Sequence, residues 1–218
     1  MSSPQGVGVK VKSLTSKGYS AFNPASQGRM QLHWRPLWYR DPILERLPRG
    51  GIGVEVGVWA GEFSERILRI VQPRFLHLVD QWKQVPGHPS RRWGGNGNTS
   101  QAKIEQAYKS ATVRLHAETR AGRVVIHRNP SVDAAKEFPD GSVDFVYLDA
   151  DHRYHAVLAD LSAWWPKVKA GGALAGDDYD LPQSDWDDGV TRAVDNFSAV
   201  HCTRLTYLGR HQFLISRE

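Results

Sequence analysis

One stretch, residues 143–180, constrains the fold of this chain more than any other. It reads VDFVYLDADHRYHAVLADLSAWWPKVKAGGALAGDDYD. The apolar run at 143–148 predicts a buried strand, residues 155–168 predict a helix that stops at Gly171-Gly172, and residues 173–176 predict a second buried strand. Parallel strands need a crossover of this length, so the order strand, helix, strand predicts a βαβ unit.

Acids follow both predicted strands. Asp149, Asp151 and His152 come after the first, and Asp177-Asp178 come after the second. Ligands of an open α/β sheet bind beyond the carboxyl ends of its strands, so we expect these groups at one edge. Crowded carboxylates repel each other unless a cation neutralises them, and a hard divalent cation such as Mg²⁺ binds carboxylate oxygens. The alternative is that the acids are solvated loop residues and helix caps.

A glycine turn follows the first strong strand, residues 52–56. Gly57 and Gly61 are spaced G-x-x-x-G before a predicted helix at 63–71, unlike the G-x-G-x-x-G of dinucleotide enzymes. Glu55, inside the strand end, would repel a pyrophosphate but suits an ammonium or ribose hydroxyls. The turn therefore favours a nucleoside ligand that carries an amino-acid group, and it disfavours an NAD-dependent oxidoreductase.

The remaining elements complete an α/β pattern. Asp80 ends the second strand, where an acid usually accepts the ribose hydroxyls, and Asn129 to Ser131 follow the third. Residues 101–120 predict one amphipathic helix, and two short strands close the chain. We expect a Rossmann-like, doubly wound, mostly parallel sheet with helices on both faces and a terminal antiparallel strand.

The charge is concentrated at the N-terminus. Residues 1–50 hold eight Lys or Arg against two acids, a net +6, which leaves −1 of the total +5 for the rest. We expect residues 1–49 to form a basic, partly disordered arm with short aromatic-rich helices, and residues 50–218 to form the catalytic domain. The rest of the chain is nearly neutral and has acids at its predicted site, which makes nucleic acid an unfavourable partner.

Two absences from the sequence bear on location. No apolar run approaches the ~20 residues that span a membrane, and the N-terminal residues lack a secretory core. The single cysteine, Cys202, excludes an internal disulfide framework and is compatible with a reducing compartment. We therefore expect a cytoplasmic protein without a membrane partner.

The motifs VEVGVWAGEFS, HLVD, RNPS, DFVYLDADHRY and GGALAGDDY, taken together, resemble those of class I S-adenosylmethionine-dependent methyltransferases. Within that class the chain is most similar to divalent-metal-dependent O-methyltransferases, both the catechol and caffeoyl-CoA type and the bacterial sugar type. The resemblance covers residues 50–216 in motif order. It implies S-adenosylmethionine as cofactor, Mg²⁺ or another divalent cation, and a small-molecule hydroxyl as acceptor.

The resemblance also assigns roles to residues. The metal ligands correspond to Asp149, Asp177 and Asp178, and the general base to Asp151 in the sugar enzymes, with His152 as the alternative. The cofactor residues that the resemblance implies are Glu55, Gly57, Gly61, Asp80, Asn129, Ser131 and Asp149. Trp82 either stacks beside the cofactor or packs in the core.

The sequence leaves several alternatives open. A metal-independent methyltransferase that acts on another small-molecule or macromolecular acceptor would use the same cofactor motifs. The acceptor is a sugar, a glycoside, a phenol or a catechol, and residues 87–100 and 181–188 are expected to shape its pocket. A homodimer through the aromatic arm is a further hypothesis.

Overall fold

The computed structural model describes residues 37–85, 100–180 and 188–218. They all belong to one compact unit, His33–Glu218. The predictions for the rest of the arm and for most of the two acceptor loops fall outside the described residues. Residues 37–49 were grouped with the arm, yet they pack with the body, because Ile43, Leu44 and Leu47 are buried in its core.

A seven-stranded sheet organises the unit. In chain order the strands are β1 (Ile52–Val56), β2 (Phe75–Val79), β3 (Val124–His127), β4 (Val143–Leu148), β5 (Val168–Gly176), β6 (Arg204–Tyr207) and β7 (Phe213–Ser216). Their spatial order is β3-β2-β1-β4-β5-β7-β6. The first five are parallel, and β7 runs antiparallel to both of its neighbours. The predicted mostly parallel sheet with a terminal antiparallel strand is therefore confirmed.

Helices cover both faces of this sheet. They are α1 (Asp41–Leu44), α2 (Glu62–Ile70), α3 (Gln101–Arg114), α4 (His116–Arg120), α5 (Ser131–Ala135), α6 (Tyr154–Trp164) and α7 (Gly189–Val200), with 3₁₀ helices at Leu37–Arg40 and Trp165–Lys167. Apolar residues of α1, α2 and α3 pack on one face, and those of α5, α6 and α7 pack on the other. The doubly wound arrangement explains why β1 and β4 are buried almost throughout.

The structure differs from the sequence prediction at the end of one helix and at the start of the strand that follows it. The helix predicted to reach Val168 ends at Trp164, and a 3₁₀ turn containing Pro166 follows it. Gly171 and Gly172 do not stop a helix but lie inside β5. A Cβ on Gly172 would lie 2.6 Å from the carbonyl oxygen of Asp144, so close strand pairing explains the glycine there.

The predicted helix at 101–120 is interrupted. Leu115 separates α3 from α4 and leaves helical geometry with a ψ of 9°. Its side chain is buried against the core, so an apolar group stays inside at the break.

Candidate active site

The acids of the central stretch meet at one edge of the sheet, as predicted. β4 and β5 are parallel neighbours, and Leu148 pairs with Gly176 at their carboxyl ends. Asp149 and Asp177 are the next residues of the two strands. The backbone N–H of Asp177 donates to the carbonyl of Leu148, which fixes the two strand ends together.

An arginine that the sequence analysis did not single out lies between these two acids. Arg40, at the end of the first 3₁₀ helix, places Nη1 2.6 Å from Asp149 Oδ2 and Nη2 2.7 Å from Asp177 Oδ2. The hydroxyl of Tyr39 donates to the same oxygen of Asp177. The guanidinium also lies over the ring of Phe63, 4.8 Å from its centroid. The predicted ligand Asp177 is thus already bound to two groups of the N-terminal segment.

Burial and pairing oppose each other at this arginine. Burial alone would lower the pKa of Arg40, but Asp149 and Asp177 outweigh it and hold that pKa above its ordinary value. Burial would likewise raise the pKa of Asp149, but Arg40 and then His152 hold it below its usual range. Both groups are therefore charged at neutral pH, and the pair is an ion pair.

His152 connects the first acid to the third. Its Nε2 lies 3.3 Å from Asp149 Oδ1, and its Nδ1 lies 3.3 Å from Asp178 Oδ2. Burial lowers the pKa of His152, yet the bond to Asp149 and the charge of Asp178 outweigh burial and raise it to about 9. We call Asp149, Asp177 and Asp178, with Arg40 and His152 between them, the acid cluster.

Part of the acid cluster has the geometry of a cation site. Among the described residues, the group that offers three ligand atoms within 4.8 Å of one another consists of Asp149, His152 and Asp178. Two carboxylates and an imidazole are donors that a divalent cation accepts, so these residues fit one. Asp177, which the resemblance assigns as a third carboxylate ligand, contacts Arg40 and Tyr39, and its role as a ligand stays a prediction.

Asp151, the first candidate for the general base, lies beside the acid cluster. Both of its oxygens contact the guanidinium of Arg153, Oδ2 at 2.5 Å from Nη2, and its Oδ1 also accepts the backbone N–H of Arg153. Arg153 is 42% exposed, so this ion pair faces solvent more than those of Arg40 do. A small pocket borders the acids, and its lining includes Asp151, His152 and the buried Asp160.

The ends of β1 and β2 carry a different set of groups. Glu55 is 1% exposed, and its Oε2 accepts a hydrogen bond from the hydroxyl of Ser64 at 2.5 Å. Its Oε1 is buried and finds no hydrogen-bond partner in the described part of the chain. Burial, more than any other cause, raises the pKa of Glu55 to about 8. Oε1 of Glu55 is therefore suited to accept a hydrogen bond from the ammonium of an amino-acid cofactor.

The predicted glycines hold the turn against the neighbouring strand. Gly57 has a φ of +90°, and a Cβ there would lie 2.0 Å from the carbonyl oxygen of Asp149. Gly61, with a φ of +81°, precedes α2 and has more room. Asp80 accepts the backbone N–H groups of Val58 and Trp59 at 3.0 Å, so its carboxylate also fixes the turn. We call Glu55, Gly57, Gly61 and Asp80 the cofactor side.

The other predicted cofactor residues have partners in the body. Trp82 is 1% exposed and donates its Nε1–H to the carbonyl of Trp59, which is the core-packing alternative. Asn129 donates to Glu137, and the hydroxyl of Ser131 accepts from Trp164. Asn129 and Ser131 stand after β3, at the same edge of the sheet as the cofactor side. Their contact with a cofactor stays a prediction.

Sequence reasoning missed Arg40 and its neighbour Tyr39 at the acid cluster. It also missed Ser64 beside Glu55, and Arg153 and Asp160 near Asp151. In the sequence Arg40 is one of the eight basic residues at positions 1–50. The signal that points to it is the apolar pattern of Ile43, Leu44 and Leu47, which predicts that this segment packs on the core. Nothing in the sequence indicates which cation of the segment reaches the strand ends.

Comparison with known proteins gives a consistent result. A family model described as "Methyltransferase domain" matches residues 54–179. No curated protein matches the sequence. Among the described residues, no helix is both long enough and apolar enough for a membrane span.

Solved structures share the fold at low sequence identity. The O-methyltransferase NovP is 20% identical, over 83% of this chain and 78% of that one, with a TM-score of 0.54. An rRNA methylase from Streptococcus thermophilus is 14% identical, over 84% and 95%, with a TM-score of 0.51. A Streptococcus mutans protein solved in complex with SAH is 14% identical, over 84% and 96%, with a TM-score of 0.53.

Proposed function

This chain belongs to the methyltransferase domain family, and from that premise we propose that it methylates a hydroxyl of a small molecule with the help of a divalent cation such as Mg²⁺. The family and the fold make it a class I enzyme that depends on S-adenosylmethionine. The proposal concerns the acceptor and the cation. We expect the acceptor to be a sugar or glycoside of a natural product, or else a phenol or catechol.

The observation that carries the proposal is the acid cluster at the ends of β4 and β5. Asp149, His152 and Asp178 gather three possible ligand atoms next to the strand end where Gly57 approaches Asp149. A divalent cation bound there would supply a positive charge that lowers the pKa of a hydroxyl. The fold is shared by NovP and an O-methyltransferase family protein from Burkholderia thailandensis, but also by an rRNA methylase, so oxygen as the methylated atom rests on the acid cluster.

Different residues of the site would bind the cofactor, bind the cation and accept the proton. Glu55 would accept the ammonium of the cofactor through its buried Oε1. Asp149, Asp177 and Asp178 would hold the cation. Asp151 would take the proton of the acceptor hydroxyl, because its partner Arg153 is 42% exposed and can move aside, whereas both ring nitrogens of His152 face carboxylates of the acid cluster. His152 would then orient Asp149 and Asp178.

A second candidate is transfer without a divalent cation. It is favoured by Arg40, which already supplies a positive charge between Asp149 and Asp177. The acceptor need not change under this candidate, because positioning and electrostatics carry much of such a reaction. The two candidates differ in whether a chelator stops turnover.

The function is tested in two steps. S-adenosylhomocysteine at 100 times its dissociation constant should stabilise the protein by ~2.7 kcal/mol in a thermal unfolding assay, with NAD⁺ as the control. Purified protein is then assayed for release of S-adenosylhomocysteine with glycosides and catechols, in excess EDTA and in excess Mg²⁺. Turnover of a hydroxyl acceptor that EDTA abolishes supports the proposal, and turnover only with amines or RNA contradicts it. Turnover that EDTA leaves unchanged supports the second candidate.

A further inference from the structure

The positive charge nearest Asp149 and Asp177 comes from the protein itself. The side chain of Arg40 is 13% exposed, and that of Asp177 is 1% exposed. The arginine reaches acids that follow two neighbouring strands, 109 residues away in the case of Asp149. A buried carboxylate requires a counter-ion, and Arg40 provides it to both Asp149 and Asp177.

The contacts of Arg40 overlap with those that the resemblance assigns to a metal. The guanidinium occupies one oxygen of Asp149 and one oxygen of Asp177. A divalent cation bound by both acids would need lone pairs of the same two carboxylates. It would also repel the guanidinium at short range, because both groups are positively charged.

The segment that carries Arg40 is anchored beyond this residue. Ile43 and Leu44 are fully buried, and Asp41 pairs with Arg66 of α2. On the other side of Arg40, Tyr39 is 7% exposed and its hydroxyl donates to Asp177. The backbone around Arg40 is therefore held on both sides, and only the long flexible stem of its side chain allows the guanidinium to leave the acids while α1 stays packed.

We propose that Arg40 and a divalent cation compete for the carboxylates of Asp149 and Asp177. In the free protein Arg40 is the counter-ion that holds the two strand ends. A cation takes both acids only when the guanidinium withdraws, so Arg40 sets the affinity of the site for cations. The inference rests on the proposed function in one respect, namely that a cation binds at the acid cluster.

The test measures cation binding directly and does not depend on turnover. Mn²⁺ is titrated into the wild type and Arg40→Met, and the unbound ion is counted by electron paramagnetic resonance. We expect Arg40→Met to bind Mn²⁺ about tenfold more tightly or better. The matched control is Arg66→Met, which removes the other arginine ion pair of the same segment and should bind Mn²⁺ as the wild type does.

The outcomes separate this inference from the proposed function. Equal Mn²⁺ affinity in the wild type and Arg40→Met, or no binding in either, overturns the competition. Equal tightening by Arg66→Met also overturns it, because loosening of the segment would then be the cause. Binding of S-adenosylhomocysteine, measured in the same samples, reports on the methyltransferase assignment independently.

A measurement on the wild type covers the case in which Arg40→Met does not fold. The Nε–H resonance of Arg40 should be protected from exchange in the free protein, because this N–H donates to the hydroxyl of Tyr39 while the two Nη groups hold the ion pairs. Mg²⁺ at saturating concentration should abolish that protection, while the Nε–H of Arg66 keeps its own. Saturation with Mg²⁺ that leaves Arg40 protected contradicts the competition.

Discussion

At the ends of β1 and β2, buried carboxylates meet backbone and hydroxyl donors, whereas at the ends of β4 and β5 they meet arginine and imidazole groups. Glu55 has Ser64, and Asp80 has backbone N–H groups. Asp149, by contrast, lies between Arg40 and His152. Hydrogen bonds therefore stabilise the carboxyl groups in one part of the site, and positively charged groups stabilise them in the other.

The difference has a consequence for binding. On the cofactor side, burial raises the pKa of Glu55, so an incoming ammonium would replace a proton. In the acid cluster the charges are already paired, so an incoming cation has to displace a group of the protein. We expect the cofactor side to bind its ligand without rearrangement and the acid cluster to bind a cation only with one.

The largest effect is expected where the two parts touch. Gly57→Ala places a Cβ 2.0 Å from the carbonyl oxygen of Asp149, on a backbone with positive φ, so we expect a loss of more than about 4 kcal/mol in the free energy of unfolding. Gly61→Ala, whose nearest neighbour is 3.3 Å away, should cost about 1–2 kcal/mol for its left-handed φ. Denaturant unfolding measures both, and equal losses would contradict the role assigned to the close approach.

The next effect concerns the base beside the acid cluster. Asp151→Asn should lower kcat about 10²- to 10⁴-fold with little change in cofactor affinity, because an amide does not accept the proton. The control is Arg153→Met, which removes the ion pair but leaves the carboxylate, and it should retain most of the turnover. A loss in Arg153→Met as large as in Asp151→Asn would show that the ion pair matters structurally. A loss confined to His152→Gln would move the base to the imidazole.

Glu55→Gln tests the carboxyl group whose Oε1 finds no hydrogen-bond partner in the described part of the chain. We expect the affinity for S-adenosylhomocysteine to fall about 100-fold, because the amide cannot pair with an ammonium in a buried site. The ligand-free variant should be more stable at pH 7, by about 3 kcal/mol, since burial raises the pKa of Glu55 from 4.5 to about 8. The folded state holds this proton more tightly, so wild-type stability falls as pH rises from 4.5 to 8, and the variant should lack that slope.

The control for this variant is Glu62→Gln, the same chemical change at an exposed position on α2. It should change neither the ligand affinity nor the pH dependence of unfolding. If Glu55→Gln unfolds with the same pH slope as the wild type, the raised pKa is wrong. If it binds S-adenosylhomocysteine normally, the ammonium of the cofactor lies elsewhere.

Much of the fold could be predicted from the sequence because its signals are local. The apolar run at 143–148 and the acids after it placed β4 and the carboxyl edge correctly. The glycines at 171–172 misled the prediction, because a glycine that allows close strand pairing and a glycine that ends a helix look alike in the sequence. Only the contact of Gly172 with the backbone of Asp144 separates the two cases.

For each contact of the candidate site, the sequence predicted the acid but not the group that pairs with it. The spacing of Asp149, Asp177 and Asp178 reveals acids at two strand ends, but a partner for them can come from anywhere in the chain. Arg40 is 109 residues from Asp149 and belongs to a segment whose apolar residues only predict burial. A charge pair between distant residues produces no periodic pattern in a sequence. The acids were therefore predicted, but Arg40 was not.

The smallest effect distinguishes two roles of Asp80. Asp80→Asn keeps one acceptor oxygen but loses a charged partner for the N–H groups of Val58, Trp59 and Trp82, so the ligand-free protein should lose about 1 kcal/mol of stability. The loss is small because burial raises the pKa of Asp80 and the amide avoids that cost. Asp133→Asn, at an exposed position, serves as the control. If the ligand-free variant is as stable as the wild type and only its affinity for S-adenosylhomocysteine falls, Asp80 serves the ribose and not the turn. A loss of stability without a ligand means that the cofactor side is built before the cofactor arrives, as its contrast with the acid cluster requires.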